Sequence, residues 1–391
     1  MRVLFIGGAG LMGSGSIRDM LDTSPHEIIA ADSSEERLSR LPDHQRLRTR
    51  VLDVSDRAAL LAALQDCDLC VNAVPTFAGY QMAIFEACLE ARRAYTDYGG
   101  MGVYTVKQKA MHQAFEQAGV TAVVGLGADP GLSNVICRAV ADRLDSIEKI
   151  NLYWTGVRIG PESPVLVPAY SLSTILSEYA NPSMQFLDGE LREVPARGGV
   201  ETLDLPEPFG RTTFLFTQHS EPLTIPFARG IAEKGIREFT WRLALPIQDH
   251  QAYVALARAG FGDYDTPVSV PGGTVKPLDV LQAVMERQRQ RTPPPAYESH
   301  EIHFAVGVGQ RQGRATRVTA RVIGRPHPAY EPYADAATSM FLSIGVQQML
   351  DRPLVPGVWA PEECFDPDAF LAEVTRRHFE VSIETVSTEA F

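Results

Sequence analysis

Residues 2–13, RVLFIGGAGLMG, place a short apolar strand directly before a glycine-rich turn. The turn carries Gly8, Gly10 and Gly13 in the spacing G-x-G-x-x-G, and a helical pattern of apolar residues follows over 11–22. In this arrangement the first glycine permits a tight turn, the second lets the backbone approach a pyrophosphate, and the third lets helix and strand pack closely. The pattern predicts a dinucleotide-binding strand–helix unit.

Asp32 follows at the predicted end of the second strand, close to the spacing of about 20 residues at which an acidic residue binds the ribose of NAD. A carboxylate there would repel the 2′-phosphate of NADP. Ser33 and Ser34 offer no basic partner, although Arg37 stands one helical turn away. We therefore expect NAD, with NADP less favoured. The expected contacts in the first turn are Gly8, Gly10, Leu11, Met12 and Gly13.

The first third of the chain alternates short apolar strands with helices. Such strands, joined by helices, are typical of a parallel sheet that is covered on both faces. We predict a doubly wound α/β (Rossmann) domain over residues 1–130. Strands are predicted at 2–6, 27–31, 48–52, 68–73, 94–97 and 121–126, and helices at 11–22, 34–41, 56–65, 77–91 and 103–119.

The ends of the later strands are expected to complete the cofactor site, because ligands collect at the carboxyl ends of parallel strands. Asp53 and Val54 follow the third strand and are expected near the adenine. The fourth strand ends in a segment that we expect to line the ribose on the nicotinamide side. Its residues are Asn72, Ala73, Val74 and Pro75.

Two further strand ends, Asp97-Tyr98-Gly99-Gly100 and residues 127–131 (GADPG), are predicted to lie beside the nicotinamide. Asp129 could hold an ammonium group or accept a proton there, and Tyr98 could supply a hydroxyl. A structural alternative exists for Asp129, because an aspartate followed by proline suits the first turn of a helix. His219, in the segment FTQHSEP, is a further candidate for proton transfer, since histidine titrates near neutrality.

After the first domain the pattern changes to longer alternating strands. We predict an α+β substrate and dimerisation domain over 131–330 with a largely antiparallel sheet, and a C-terminal segment, 331–391, that packs back on the first domain. Asp188-Gly189 predicts a hairpin turn. Residues 307–309 (GVG) are not followed by a helical pattern, so they too are interpreted as a hairpin turn.

The composition excludes several classes of protein. The 48 acidic residues exceed the 36 basic ones, and the formal net charge of −12 argues against a nucleic-acid partner held by phosphate contacts. No apolar run is long enough to span a bilayer, so a cytoplasmic protein without a membrane partner is expected. The pair Cys67 and Cys70 lacks a second pair or nearby histidines, so buried thiols are expected rather than a metal or redox site.

Several segments, in this order and spacing, resemble the saccharopine dehydrogenase-like superfamily, and the pattern is closest to bacterial lysine 6-dehydrogenases and saccharopine reductases. In the first domain they are GGAGLMG (7–13), CVNAVP (70–75), YTDYGG (95–100) and GADPGLSNV (127–135). The similarity continues through residues 168–196, 275–281 and 339–363, and so covers nearly the whole chain.

The resemblance implies an NAD(P)-dependent dehydrogenase that acts on the C–N bond of an amino acid and forms a homodimer. It also implies that Asp129 lies in the substrate pocket. Two departures bear on the substrate: Trp154 and Gly156 stand where relatives tend to have a glycine pair, and Met101 stands where lysine 6-dehydrogenases have a histidine.

An amino-acid substrate needs a cation for its carboxylate, and the candidates are Arg158, Arg237 and Arg242. We expect Asp129, Trp154, Gly156 and Arg237 to bind substrate. The leading hypothesis is oxidation of a lysine-like amine to an imine and then a semialdehyde. The alternatives are an opine-type reductase, which would need two or three carboxylate-binding arginines, and a catalytically silent NAD-binding protein.

Overall fold

A computed structural model describes residues 1–99, 102–263, 266–352 and 354–388. Its first domain holds six strands and six helices: one helix follows each of the first four strands, and two helices join the fifth strand to the sixth. The strands are β1 (Arg2–Ile6), β2 (Glu27–Asp32), β3 (Leu47–Val51), β4 (Leu69–Asn72), β5 (Ala94–Asp97) and β6 (Thr121–Val123). The helices are α1 (Leu11–Thr23), α2 (Glu35–Leu38), α3 (Arg57–Gln65), α4 (Gln81–Ala91), α5 (Val103–Ala110) and α6 (His112–Ala118).

These strands form a parallel sheet in the spatial order β6-β5-β4-β1-β2-β3, which confirms the doubly wound architecture. The order reverses at β1, which pairs with β2 on one side and β4 on the other. In such sheets the ligand crevice opens outside the carboxyl ends of the strands at the point of reversal. The glycine-rich turn after β1 lies at that point.

The middle of the chain builds a second sheet and its covering helices. The strands are β7 (Ser146–Ile159), β8 (Ser183–Leu187), β9 (Glu190–Val194), β10 (Glu201–Asp204), β11 (Arg211–Phe216), β12 (Glu238–Ala244), β13 (Val268–Val270), β14 (Gly273–Val275), β15 (Glu298–Arg311) and β16 (Arg314–Gly324). The helices are α7 (Leu132–Asp142), α8 (Leu172–Ala180), α9 (Ile247–Arg258) and α10 (Pro277–Arg291). The C-terminal elements are α11 (Ala336–Asp351), β17 (Gly357–Trp359), α12 (Pro361–Cys364), α13 (Pro367–Arg376) and β18 (Glu380–Ser387).

The second sheet has the order β10-β11-β12-β7-β15-β16-β18, with β8 paired to β12 and β9. The pairing of β12 with β7 is parallel and the other pairings are antiparallel, as the α+β prediction requires. The strands β12, β7 and β15 therefore lie side by side, and their residues face the carboxyl ends of the first sheet.

Two hairpin predictions had different outcomes. The turn at Asp188-Gly189 is confirmed, with φ of 55° and 88°. The turn at residues 307–309 is wrong, because this segment lies inside β15, and the chain reverses at Gln312-Gly313, with φ of 52° and 73°. Two consecutive residues with positive φ make the tight hairpin. Gly307 serves packing instead, since a Cβ there would stand 2.3 Å from Val140 of α7.

The C-terminal segment joins both sheets. β17 adds a parallel strand beside β6, and β18 adds an antiparallel strand beside β16. Helix α11 packs on α1, and a buried ion pair of 2.8 Å between Arg377 and Asp19 fixes the end of α13 against the same helix. The segment therefore ties the two sheets to each other around the crevice.

Two features of the described residues bear on the expectations about membrane spans and cysteines. No described helix combines the length and hydrophobicity that a membrane crossing requires. The cysteines are free; Cys67 and Cys70 are buried, and burial raises the pKa of both thiols. This pair accordingly has the character of inert core cysteines.

Candidate active site

The turn after β1 has the geometry that a pyrophosphate needs. The amides of Gly7 and Gly8 donate to the Ala31 carbonyl, at 2.8 and 3.0 Å, and hold the turn on β2. Gly10 is the N-cap of α1, and a Cβ there would meet only the Gly7 carbonyl oxygen, so the backbone stands open in front of the helix. A Cβ on Gly13 would come within 2.9 Å of the Gly8 backbone, which explains the third glycine. The first-turn amides at Leu11, Met12 and Gly13 are thus available to an anion.

Asp32 ends β2 and is 5% exposed. One of its carboxylate oxygens, Oδ1, accepts hydrogen bonds from the Ser34 amide at 3.0 Å and from both Nε and NH2 of Arg37, at 3.2 and 2.6 Å. Sequence reasoning noted Arg37 but gave it no contact with Asp32. The arginine neutralises the acid, and half of its side chain is exposed. The expected repulsion of a 2′-phosphate is therefore weakened at this position.

The other predicted cofactor residues lie at the carboxyl ends of β3 and β4. Asp53 is exposed and accepts two hydrogen bonds from Ser55, and Val54 is half-buried and packs against the hydrophobic core. Asn72 is buried, and its oxygen accepts from the Val74 amide at 3.1 Å, which shapes the segment that carries Ala73, Val74 and Pro75. Asn72 thus holds the loop in shape, and its side-chain nitrogen is hydrogen-bonded inside the core.

A buried carboxylate, Asp97, fixes the next two strand ends together. Its Oδ1 accepts from the amides of Gly99 and Gly125, at 3.0 and 2.8 Å. Its Oδ2 accepts from Tyr95, Gln81 and Gln108. These contacts hold the loops that present Tyr98 and Asp129. Gly100 and Met101, which complete the predicted strand end, lie outside the described residues.

Between these loops and the second sheet lies a cavity of about 220 Å³. Five residues of the predicted site line it. Met12 comes from the predicted nucleotide-binding turn, and the others are the predicted catalytic or substrate residues Tyr98, Asp129, Trp154 and His219. The remaining lining residues are Thr76, Gly99, Ala128, Pro130, Tyr170, Ser171, Thr174, Glu178, Ser220, Trp241, Leu243, Glu301, Asp335 and Thr338. Met12 of the predicted cofactor turn and two of the predicted substrate residues, Asp129 and Trp154, therefore line the same cavity.

Asp129 makes an ion pair across the cavity wall. Its Oδ2 lies 2.8 Å from His303 Nδ1, and His303 Nε2 lies 3.3 Å from Glu301 Oε2. Burial disfavours the histidine cation, but the two carboxylates outweigh it and raise the pKa of His303 to about 10. Burial raises the pKa of Asp129, and the His303 cation opposes that rise. His303 is thus an imidazolium at neutral pH and keeps a buried aspartate ionisable.

The structural alternative for Asp129 is not supported by the geometry of α7. The helix begins at Leu132 with Gly131 as its N-cap, and Asn134 accepts the Gly131 amide at 2.9 Å. Asp129 Oδ1 is buried and has no hydrogen-bond partner among the described residues. An unpaired carboxylate oxygen in a cavity wall is expensive unless a ligand donor reaches it.

A second histidine lies between two acids. His219 Nδ1 is 2.5 Å from Glu221 Oε2, its Nε2 is 3.7 Å from Glu178 Oε1, and its ring stacks on Trp241 at 4.1 Å. Burial disfavours the cation, but the Glu221 carboxylate outweighs it and the pKa of His219 rises to about 9. Burial raises the pKa of Glu178 to about 7, with the His219 cation opposing it. At neutral pH His219 is a proton donor rather than a base.

Aromatic rings form much of the remaining wall. Trp154 on β7 meets Tyr170 edge to face at 5.9 Å, and its Nε1 donates to Glu301 Oε2 at 3.4 Å. Gly156 does not line the cavity, but its missing side chain leaves room beside the Trp154 indole. Tyr98 lines the cavity, and its hydroxyl shares a 2.6 Å hydrogen bond with Ser16 of α1.

The predicted carboxylate-binding arginines lie elsewhere. Arg237 is exposed and donates to the Asp188 carbonyl at the end of a hairpin. Arg158 pairs with Asp249, and Arg242 pairs with Glu201. Within the described parts of the chain, no lysine or arginine lines the cavity. The substrate role expected for Arg237 thus has no support in this geometry.

The cavity is instead acidic. Asp129, Glu178, Glu301 and Asp335 line it, and Glu221 stands behind His219. Burial and the neighbouring Glu301 raise the pKa of Asp335 to about 6, which is still below neutral pH. Five carboxyl groups therefore face two imidazolium groups, and the balance favours a ligand with positive charge.

Sequence reasoning missed Glu178, Glu221, Glu301, His303 and Asp335. One signal was available: Glu301 and His303 alternate along a predicted strand, so they share a face, and charged residues on a buried face point to a polar site. Glu178 is the one charged residue of its helix, Leu172–Ala180, and this was a second signal. No group of three or more described histidine, cysteine or acidic side chains is arranged to hold a metal ion.

Comparison with known proteins agrees with this geometry. Residues 3–123 match the saccharopine dehydrogenase NADP binding domain, and residues 127–379 match the saccharopine dehydrogenase C-terminal domain. The chain belongs to the saccharopine dehydrogenase family. As a member of this family it is an NAD(P)-binding oxidoreductase, and the predicted family resemblance is confirmed.

Three relatives illustrate the range of this family. The saccharopine dehydrogenase (L-Glu forming) of Saccharomyces cerevisiae superposes with a TM-score of 0.74 at 14% identity, over 98% of this chain and 99% of that one, which shows the shared fold. Carboxynorspermidine synthase of Vibrio cholerae is 24% identical over 84% of this chain and 80% of its own length. The match to carboxynorspermidine synthase of Vibrio alginolyticus, at 26% identity, covers 41% of each chain.

Proposed function

We propose that this protein exchanges hydride at a C–N bond of an amine that carries more ammonium than carboxylate groups. Lysine meets this description, and so does a carboxylated polyamine of the kind for which the Vibrio relatives are named. The observation that carries the proposal is the acidic, aromatic cavity beside the glycine-rich turn, which no described lysine or arginine lines.

The charge balance is the first argument. A substrate with two or three carboxylates, such as an opine, would meet Asp129, Glu178, Glu301 and Asp335 without an arginine to receive it. An ammonium group is attracted to the same carboxylates and to the faces of Trp154 and other aromatic rings. The cavity therefore selects for cationic amines.

Asp129 is the group that we assign to the reacting nitrogen. An amine must lose its proton before the adjacent C–H can leave as hydride, and Asp129 Oδ1 is a buried acceptor without a partner. Asp129 would then be a neutral carboxylic acid, and the iminium charge that develops as the hydride leaves would be stabilised by the other acidic side chains of the wall, Glu178, Glu301 and Asp335. A bound nicotinamide would accept that hydride, or supply it in the reverse direction. Burial raises the pKa of Asp129, and the His303 cation beside Oδ2 opposes that rise and so favours the ionised form.

The reverse reaction is the second candidate, and the word synthase in the names of the Vibrio relatives favours it. An amine would condense with an aldehyde, lose water and be reduced to a secondary amine. Loss of water requires a proton for the leaving oxygen, and the His219 imidazolium is a suitable donor. In both directions the aromatic side chains of the wall would limit the access of bulk water to the reacting carbon.

The residues at the end of β2 fit a dinucleotide, and we propose that they accept both NAD and NADP. Asp32 can bind ribose hydroxyls, as expected from the sequence. Arg37 neutralises it and offers a half-exposed guanidinium to a 2′-phosphate. The name of the matching N-terminal domain agrees with binding of NADP.

Calorimetric titration tests the charge argument directly. The protein saturated with NADP is titrated with lysine, with a triamine, and with glutamate as a dicarboxylate of similar size. We expect the lysine and triamine to bind and glutamate to fail. Binding of glutamate in preference to both cationic amines would contradict the proposal.

A further inference from the structure

The first turn of α7 holds the loop that carries Asp129. The amides of Leu132 and Ser133 donate to backbone carbonyls of this loop, at 2.9 and 3.0 Å. The Gly131 amide donates to the Asn134 side-chain oxygen at 2.9 Å. Gly131 has a φ of 132°, a conformation that glycine adopts far more readily than other residues, so the loop depends on these contacts for its shape.

The same turn also supports His219. The Ser133 side chain is fully buried, and its hydroxyl donates to Glu221 Oε1 at 2.9 Å. The other carboxylate oxygen of Glu221, Oε2, lies 2.5 Å from His219 Nδ1. Because Ser133 and Asn134 are adjacent, one helical turn is bonded both to the Asp129 loop and to this carboxylate.

The C-terminal segment fixes this turn through Glu362 of α12. Glu362 is 1% exposed, and its Oε2 accepts a hydrogen bond from Asn134 Nδ2 at 2.7 Å. Thr224 Oγ1 is a more distant second acceptor for the same nitrogen, at 3.4 Å. With acceptors in front of its nitrogen, the Asn134 amide presents its oxygen to Gly131. Glu362 therefore sets the orientation of the side chain that closes the Asp129 loop.

Glu362 fills this role as a hydrogen-bond acceptor, and its charge is not required. Its Oε1 has no hydrogen-bond partner among the described residues, so only one of the two carboxylate oxygens is used. Burial and the neighbouring Glu363 raise the pKa of Glu362 to about 7, so both forms of the carboxyl are populated near neutral pH. A protonated carboxyl still has a carbonyl oxygen that can accept from Asn134.

We propose that Glu362 is a positioning residue of the active site, which acts on Asp129 through Asn134 and the first turn of α7. Glu362 does not line the cavity, so it influences the reaction without touching the substrate. This inference rests on the proposed function, because it takes Asp129 to be the group at the reacting nitrogen. The C-terminal segment, which ties the two sheets together, thereby also supports the chemistry.

Three substitutions on α12 separate positioning from stability. Glu362→Gln keeps a side-chain carbonyl for Asn134 and should behave as the wild type. Glu362→Met has a similar length but no oxygen acceptor, so it should release the Asn134 amide. Glu363→Gln is the matched control, because it changes the adjacent carboxylate, which pairs with Lys109 instead.

The titration of His303 reports the position of Asp129 in the ligand-free protein. Burial lowers the pKa of His303, but the Asp129 and Glu301 carboxylates outweigh it and raise the value to about 10. In Glu362→Met, displacement of Asp129 should lower this pKa by roughly one unit or more, as for loss of a close opposite charge. Carbon NMR of labelled histidine measures it, with the signal assigned by its absence in His303→Gln. Glu362→Gln and Glu363→Gln should keep the wild-type value.

Asn134→Ala removes the other half of the contact and should lower the pKa of His303 in the same way, whether or not Glu362→Met folds. With lysine or a triamine as substrate, kcat of Glu362→Met should fall roughly 10- to 100-fold while the KM for NADP is unchanged, because small displacements of a reacting group cost about that much.

Two results would overturn the inference: an unchanged His303 titration in Glu362→Met and Asn134→Ala, or a loss in Glu362→Gln equal to that in Glu362→Met. If the His303 titration moves as expected but the wild-type protein oxidises no amine, the positioning contact stands and the proposed function fails.

Discussion

Asp129 Oδ2 lies 2.8 Å from His303 Nδ1, and this contact joins the last strand end of the nucleotide-binding sheet to the middle of β15 in the second sheet. The histidine is held between Asp129 and Glu301, and so remains charged well above neutrality. The Asp129–His303 ion pair therefore places an ionisable carboxylate at the boundary between the cofactor side and the substrate side of the cavity. The chemical role that we assign to Asp129 depends on this relationship.

Asp129→Asn should remove the proposed general base while keeping the shape of the side chain. We expect kcat/KM for the amine to fall by roughly 10²–10⁴-fold, the range for loss of a general base. Affinity for NADP should be unchanged, because Asp129 is not part of the glycine-rich turn. Steady-state kinetics and fluorescence titration of NADPH measure the two quantities. A matched loss of melting temperature and activity would instead indicate a structural role.

His303→Gln should change the pH profile as well as the rate. The His303 cation opposes the burial that raises the pKa of Asp129, so its removal should raise that pKa further. The acidic limb of kcat/KM should then move to higher pH, by roughly one to three units for the loss of a close opposite charge. A profile whose acidic limb stays in place would show that Asp129 does not control it.

The stability of the ligand-free protein should fall as the solution becomes alkaline. His219 and His303 keep their protons in the folded state up to pKa values of about 9 and about 10, whereas unfolded histidine loses its proton near 6.5. Their contribution is complete below 6.5 and is lost as the pH rises through the folded values. The raised pKa of Glu178, about 7 against 4.5, acts in the same direction at lower pH.

Melting curves between pH 6 and pH 10 measure this effect, and His219→Gln should flatten the slope up to about pH 9. His44→Gln, a substitution outside the cavity, is the control and should keep the wild-type slope. A melting temperature that rises over this interval would contradict the assignment of two buried imidazolium groups.

Arg37 and Asp32 should divide the selection of the cofactor between them. Arg37→Ala is expected to raise the KM for NADP by roughly 10- to 100-fold, the range for one charged hydrogen bond, with a smaller effect on NAD. Asp32→Ala should weaken NAD more than NADP, since the ribose hydroxyls lose their acceptor while Arg37 remains. Equal effects on both cofactors in each variant would show that this pair does not discriminate between them.

The first domain could be predicted from sequence because its signals are local. Gly8, Gly10 and Gly13 follow a short apolar strand, and each glycine has a steric reason that is visible within a few residues. Asp32 and Asn72 are likewise the last residues of their strands. Since parallel strands end at one edge of a sheet, the order of the chain alone places these residues together.

The acidic half of the cavity could not be predicted in the same way. Glu178, Glu301 and Asp335 come from a helix, a strand and a helix N-cap that are far apart in sequence, and only the packing of two domains assembles them. Arg158 and Arg242 were reasonable candidates by residue type. Their partners, Asp249 and Glu201, are equally distant in sequence, so nothing local showed that these charges were already paired.

The most direct test of the account is to follow hydrogen at the carbon beside the reacting nitrogen. Lysine and a series of diamines, each deuterated at that carbon, are incubated with NAD or NADP, and the reduced cofactor is examined by mass spectrometry. We predict that deuterium from a cationic amine appears in the reduced cofactor, and that Asp129→Asn slows this transfer by roughly 10²–10⁴-fold. Reduced cofactor without deuterium, or transfer only from a dicarboxylic substrate, would contradict it.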